Sequence, residues 1–249
     1  MRTALSTILK AHQAGFGPVV PLVPEKERII QFDFSGNNST LTETILQDTT
    51  LFTHYIFEQL NNAGAKYGIG GYGEHRIVYT RSKLFDAYDM SESQKNKLVA
   101  SSDPIEPRRL HLGTDIWGKP HTAVKAPLDG LVHSFAYNDA FGDYGATIIL
   151  THRLADRTFY TLYGHLSLNS IKNIDEGEHI TKGDIFGDFG IPSENGQWPP
   201  HLHFQIIDDL QGWKGDYPGV CKFSEKDRWL SNCPDPDLIL QLNQFIYDK

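Results

Sequence analysis

Apolar positions mostly recur three to five apart in the first part of the chain. Leu41, Ile45, Leu46, Leu51, Phe52, Tyr55, Ile56 and Leu60 predict one helix or two between about 41 and 62. A short amphipathic helix is predicted at 2–13, ended by Gly15, Gly17 and Pro18, and a β-rich run at 28–34 is turned by Gly36, Asn37 and Asn38. Gly64, Gly68, Gly70, Gly71 and Gly73 then crowd a short stretch, followed by a strand-like 75–79. With no Lys-Ser/Thr and no helix start behind them, these glycines predict a flexible turn rather than a phosphate loop.

From about residue 104 the pattern changes. Short β-branched and aromatic runs at 122–124, 130–136, 147–152, 158–163, 179–181, 185–189 and 201–207 alternate with turn sequences such as Lys182-Gly183-Asp184. No helical period is sustained there, so a compact, mostly antiparallel sheet is expected. The tail carries Gly212, Gly215, Pro218, Gly219, Pro234 and Pro236, then a helix at 237–247.

Composition narrows the class of protein. The 249 residues are 39% hydrophobic, 12% aromatic and 22% charged, enough apolar material for a packed core. A net charge of −8 argues against a nucleic-acid partner, which needs clustered Lys and Arg. No window approaches the roughly 18 apolar residues of a spanning helix, so no membrane partner is expected. Ser6, Thr7, Lys10, His12 and Gln13 break up the N-terminal apolar residues, and a cytoplasmic location is the expectation. Cys221 and Cys233 stand 12 apart, fit no zinc-binding pair and are expected as reduced thiols.

The chemistry concentrates in histidine. Eight of the 11 histidines fall between 111 and 203. His111-Leu112-Gly113-Thr114-Asp115 sets an imidazole and a carboxylate four apart, on one face if the segment is extended. His201-Leu202-His203 does the same for two imidazoles, and Pro199-Pro200 bars a helix from running into it. His165 ends a strand in Tyr163-Gly164-His165-Leu166-Ser167. Two imidazoles and a carboxylate make a typical catalytic zinc shell. Five such groups leave a surplus for a base and an oxyanion donor. His54, His75, His121, His133, His152 and His179 are expected to be ordinary core or surface residues.

Together with Ala126-Pro127-Leu128-Asp129-Gly130 and Gly177 to Gly190, these motifs resemble the lysostaphin and LytM type of zinc metallopeptidase, a peptidoglycan endopeptidase family. The resemblance covers about 108–208. It implies one Zn2+ per chain held by His111, Asp115 and His203, with catalytic roles for His165 and His201. All five residues are present, which favours a working site. The implied fold class is mainly β (α+β overall): a curved antiparallel β metallopeptidase core of the duplicated hybrid motif type, crossed by a groove. An α+β N-terminal flank (1–107) would pack on it, and a C-terminal extension (209–249) would end in a short helix.

A narrower likeness bears on the substrate. Gly71-Tyr72-Gly73-Glu74-x-Arg76-x-x-Tyr79, Gly142-Asp143-Tyr144-Gly145, Trp198-Pro199-Pro200-His201 and Cys233-Pro234-Asp235-Pro236 are similar to the peptidase-like middle domain of large fusion proteins. In those a phosphotransferase-like domain precedes it and a class III aminotransferase follows. The expectation is a zinc-dependent hydrolase of a peptide or small amide substrate. Peptidoglycan fragments are a possible substrate; the alternatives are a peptidoglycan endopeptidase acting on cell-wall cross-links, exported by an unrecognised route, and a metal-binding recognition module without hydrolysis.

Overall fold

In the computed structural model, residues 4–87 and 106–247 are described. Residues 1–3 and 88–105 of the expected 1–107 flank, and the last two of the C-terminal extension, lie outside them. Twelve strands are found among the described residues: β1 Arg28–Phe32, β2 Ala65–Gly70, β3 Arg108–His111, β4 Thr114–Trp117, β5 Ala123–Lys125, β6 Gly130–Asn138, β7 Gly145–Leu154, β8 Arg157–Leu166, β9 His179–Ile180, β10 Ile185–Asp188, β11 His201–Ile207 and β12 Val220–Lys222. Eight form one sheet in the order β1-β2-β4-β11-β8-β7-β6-β9, while β10 pairs with β5 and β12 with β3. Every pairing is antiparallel except β1 with β2. The mainly β architecture matches the expectation. No described helix is long and apolar enough to cross a membrane.

Strand periodicity explains how the sheet builds a site. β11 lies in the middle and is buried along its whole length. Its odd and even positions face opposite ways. Leu202, Phe204 and Ile206 enter the main apolar core, and His201, His203 and Gln205 occupy the other face. The β7–β8 hairpin closes on Ala155, which adopts φ 51° as a tight turn requires.

The 41–62 pattern resolves into two helices, Glu43–Gln47 and Thr49–Ala63. Asp48 separates them because its carboxylate accepts the Leu51 N–H at 2.9 Å, which caps the second helix. That helix ends at Gly64 in the left-handed region and buries Phe52, Tyr55, Ile56 and Leu60 in a core shared with Phe34, Trp117 and Trp198.

Several expectations are corrected. The glycine-rich stretch is not a flexible turn, since Ala65–Gly70 is strand β2 and joins the main sheet. A Cβ on Gly68 would lie 1.9 Å from the Phe32 ring, and one on Gly70 would lie 2.7 Å from Arg76 Nη2. These glycines let neighbouring groups lie against the strand. The expected strand at 75–79 is a single bridge from His75 to Leu110 followed by a 3-10 turn, Val78–Arg81. The N-terminal helix is Leu5–Ala11. The C-terminal helix stops at Asp237–Leu240, where Gln241 turns at φ 50°. A helix at Lys226–Asn232 precedes it, unforeseen in the sequence. Cys221 and Cys233 are buried free thiols.

Candidate functional site

The register of the sheet assembles the centre. β11 pairs with β4 so that His203 stands opposite Asp115, and with β8 so that His203 stands opposite Gly164. His111 comes from β3, which belongs to a different sheet from β4. His111 and Asp115 therefore do not share one extended strand as expected, because the chain bends at Leu112-Gly113. The two side chains still meet, with His111 Nε2 at 3.2 Å from Asp115 Oδ1. Gly113 makes the bend possible: a Cβ there would lie 2.5 Å from His203 Cε1.

Hydrogen bonds settle which nitrogens carry protons. His111 Nδ1 lies 3.0 Å from the Gly71 carbonyl, which can only accept, so Nε2 keeps its lone pair. Gln205 spends its amide N–H groups on the Pro218 carbonyl and Cys233 Sγ, so its Oε1 accepts His203 Nε2–H at 2.9 Å. The His203 lone pair is then on Nδ1. That atom lies 3.0 Å from His111 Nε2 and 3.0 Å from Asp115 Oδ1. Three electron-rich atoms with no proton among them thus converge in a buried place. Lone pairs held so close repel one another unless a cation lies between them. The three residues are a geometrically possible metal site, with ligand atoms within 4.8 Å of one another. Bonds of 2.0–2.2 Å in a tetrahedron would set such atoms about 3.4 Å apart, close to the spacing found. Nitrogen and carboxylate donors of this kind suit a divalent metal.

Charge around the cluster supports the same reading. Burial pushes the His111 imidazole down to about 4, and Arg76 adds to this. Burial alone would push the Asp115 carboxyl up, but it is held well below the ordinary range, with the Arg76 guanidinium against it favouring the charged form. Asp115 Oδ2 accepts Arg76 Nη1 at 2.5 Å, which leaves Oδ1 to the histidines.

His165 and His201 lie beside this cluster with a different arrangement. Their ring centroids are 4.1 Å apart, and His201 stacks on Trp117 at 3.8 Å. His165 Nδ1 donates to the Asn195 carbonyl at 2.9 Å and His201 Nδ1 to the Pro199 carbonyl at 2.7 Å. Each Nε2 is therefore a lone-pair nitrogen, and neither has a hydrogen-bond partner among the described residues. Burial drives both imidazoles below their ordinary range, His201 to about 4, so both are neutral near pH 7. His165 sits at φ 63°, a left-handed conformation uncommon for a side-chain-bearing residue.

All five expected residues come together, and four of them, with His111 behind, line one pocket. Its walls are aromatic: Trp117 and Trp198, Tyr79 and Phe85 from the N-terminal part, and Trp213 and Tyr217 from the tail. Sequence reasoning assigned no role to Arg76, Tyr144 or Gln205, which touch the candidate ligands. Gln205 was within reach, since it follows His203 by two and shares its face. Of the histidines expected to be ordinary, His152 is a core residue satisfied at both nitrogens, by the Asp129 carbonyl and Thr161 Oγ1.

Comparison with known proteins bears on the same region. Residues 109–215 match peptidase family M23. The chain is 31% identical over 107 residues to the L-Ala--D-Glu endopeptidase of Bacillus subtilis, covering 41% of this chain and 31% of that one. It is 34% identical over 101 residues to an uncharacterized metalloprotease of Haemophilus influenzae, covering 39% of this chain and 18% of that one. The chain thus spans less than a third of the length of either relative. The catalytic domain of the antimicrobial peptidase lysostaphin from Staphylococcus simulans aligns at 24% identity and a TM-score of 0.34, over 49% of this chain and 80% of that one.

Proposed function

We propose that residues 109–215, which form a peptidase family M23 domain, are the catalytic part of a zinc-dependent hydrolase of peptide or amide bonds. The observation that carries this reading is the convergence of lone pairs from His111, Asp115 and His203 beside two histidines whose Nε2 atoms have no partner among the described residues. His111, Asp115 and His203 would hold the ion. When bound there, zinc supplies Lewis acidity for the scissile carbonyl and for water.

The remaining steps belong to the chain's own side chains. His165 and His201 are neutral, and each offers Nε2 as an acceptor, so either can take a proton from the attacking water. The protonated ring then becomes a donor to the departing amine, while its Nδ1–H stays fixed on a main-chain carbonyl. Burial keeps the Tyr144 phenol protonated, and its O–H in the same pocket is a neutral donor for the developing oxyanion. The aromatic rings of the pocket lining offer apolar surface on which a short peptide or small amide can pack.

The reading of a metal-binding module without hydrolysis is disfavoured by the two Nε2 nitrogens, which have no partner among the described residues and which binding alone does not require. Elemental analysis should find about one zinc per chain. Turnover should be found among short peptides and small amides. Absence of stoichiometric metal would overturn the proposal. A lysis band on purified peptidoglycan that vanishes in His203→Ala would replace the small substrate with cell-wall cross-links.

A further inference from the structure

The match to the peptidase family begins at residue 109, yet the groups gripping two of the candidate ligands come from residues 71–76. The Gly71 carbonyl accepts both His111 Nδ1–H and Arg76 Nη2–H, each at 3.0 Å. Arg76 is 1% exposed and spends each edge of its guanidinium. Nη1 reaches Asp115 Oδ2 at 2.5 Å and Nε reaches Glu74 Oε2 at 2.8 Å. The other oxygen of Glu74 accepts the Phe34 N–H at 2.9 Å, which anchors the group beyond the end of β1. The Phe34 ring lies 5.3 Å from the guanidinium carbon, and Gly70 leaves the space that Nη2 occupies.

A carboxylate ligand with both oxygens free can rotate or chelate through the pair. Asp115 cannot, because Arg76 occupies Oδ2. Only a planar fork reaches Asp115, Glu74 and Gly71 at once, which a lysine cannot do. We infer that Arg76 is a positioning residue of the metal centre, holding Asp115 so that Oδ1 alone faces His111 and His203. The segment before the peptidase domain is then a working part of the centre. This inference rests on the zinc reading above.

The test measures metal rather than turnover. Zinc affinity, by competition with a chromophoric chelator, and the d–d spectrum of the cobalt-substituted protein are compared for wild type, Arg76→Lys, Arg76→Gln, Glu74→Gln and His111→Ala. Loss of an outer partner of a metal ligand typically weakens affinity about 10- to 100-fold. Arg76→Gln and Arg76→Lys should fall in that range with an altered cobalt band. Glu74→Gln should shift both readouts less, in the same direction. Because removing a buried charge can unfold a protein, Arg76→Lys, which keeps the charge, decides if Arg76→Gln does not fold. The isosteric Glu74→Gln decides if neither does. Wild-type zinc affinity and cobalt spectrum in the deciding variant would overturn the role of Arg76. That outcome differs from failure of the zinc reading, in which wild type itself takes up no metal and the role of Arg76 falls with it.

Discussion

His111 and His203 each spend one ring nitrogen on a protein acceptor and aim the other at Asp115, whereas His165 and His201 spend Nδ1 on carbonyls and leave Nε2 unpartnered among the described residues. His152, away from the pocket, spends both nitrogens on the protein. All five are buried. Burial therefore does not separate the proposed ligands from the proposed proton carriers or from a core residue. What separates them is the partner of the second nitrogen: a shared lone-pair cluster, an open pocket or a hydroxyl.

The largest expected effect breaks the first pair from the second. His203→Ala should abolish stoichiometric zinc, since it removes a donor and the group that Gln205 orients. His165→Ala and His201→Ala should keep the metal and lose turnover roughly 100- to 10,000-fold each, the usual worth of a positioned proton carrier. Elemental analysis and kinetics on the three variants check this. Metal loss in the His165 or His201 variant would merge the two sets into one.

A smaller effect tests the bend that brings His111 to Asp115. Gly113→Ala places a Cβ 2.5 Å from His203 Cε1 and 2.8 Å from the Phe204 carbonyl oxygen. Neither the His203 ring nor the backbone can yield cheaply, so a loss of about 1–3 kcal/mol is expected in denaturant unfolding. Zinc affinity should weaken as well. A fully stable variant with wild-type affinity would mean that the His203 ring has room to move.

The sequence made the β11 histidines legible for a physical reason: a central strand alternates faces strictly, so His-x-His marks two groups on one side. The same rule failed at His111 and Asp115. There even spacing suggested one strand, while Gly113 permits a bend between two sheets, and the His203 ring and Phe204 carbonyl that make that glycine necessary come from a distant strand. Arg76 could not be read for its role. It stands 39 positions from Asp115, and nothing local in Glu74-His75-Arg76 reports a partner on another strand. The glycines at 68 and 70 resembled a turn by composition, because the Phe32 ring and guanidinium that require them come from outside the stretch. Two helices at 43–63 were readable to within their break, which one capping carboxylate decides.

The smallest effect isolates the third kind of histidine, and it concerns stability alone. His152 is 2% exposed, and burial pushes its imidazole down to about 4, partly opposed by the Asp129 carbonyl. The unfolded chain takes up this proton below the ordinary value of 6.5, while the folded protein resists it until about 4. Between those values the unfolded state binds more protons, so stability rises with pH. The contribution is complete above 6.5, is lost as pH falls toward 4, and changes no further below that. At about 1.4 kcal/mol per pH unit, the loss between pH 6.5 and 5 is about 2 kcal/mol. His152→Gln cannot take up this proton, so its unfolding free energy should fall less than wild type between pH 7 and pH 5, by about that amount. Both proteins are measured after the same chelator treatment, so that the other buried histidines contribute equally and cancel. Metal binding and turnover at pH 7 should stay near wild type. An unchanged pH slope would show that His152 is not held neutral by its surroundings, and a loss of zinc would move it out of the core class into the centre.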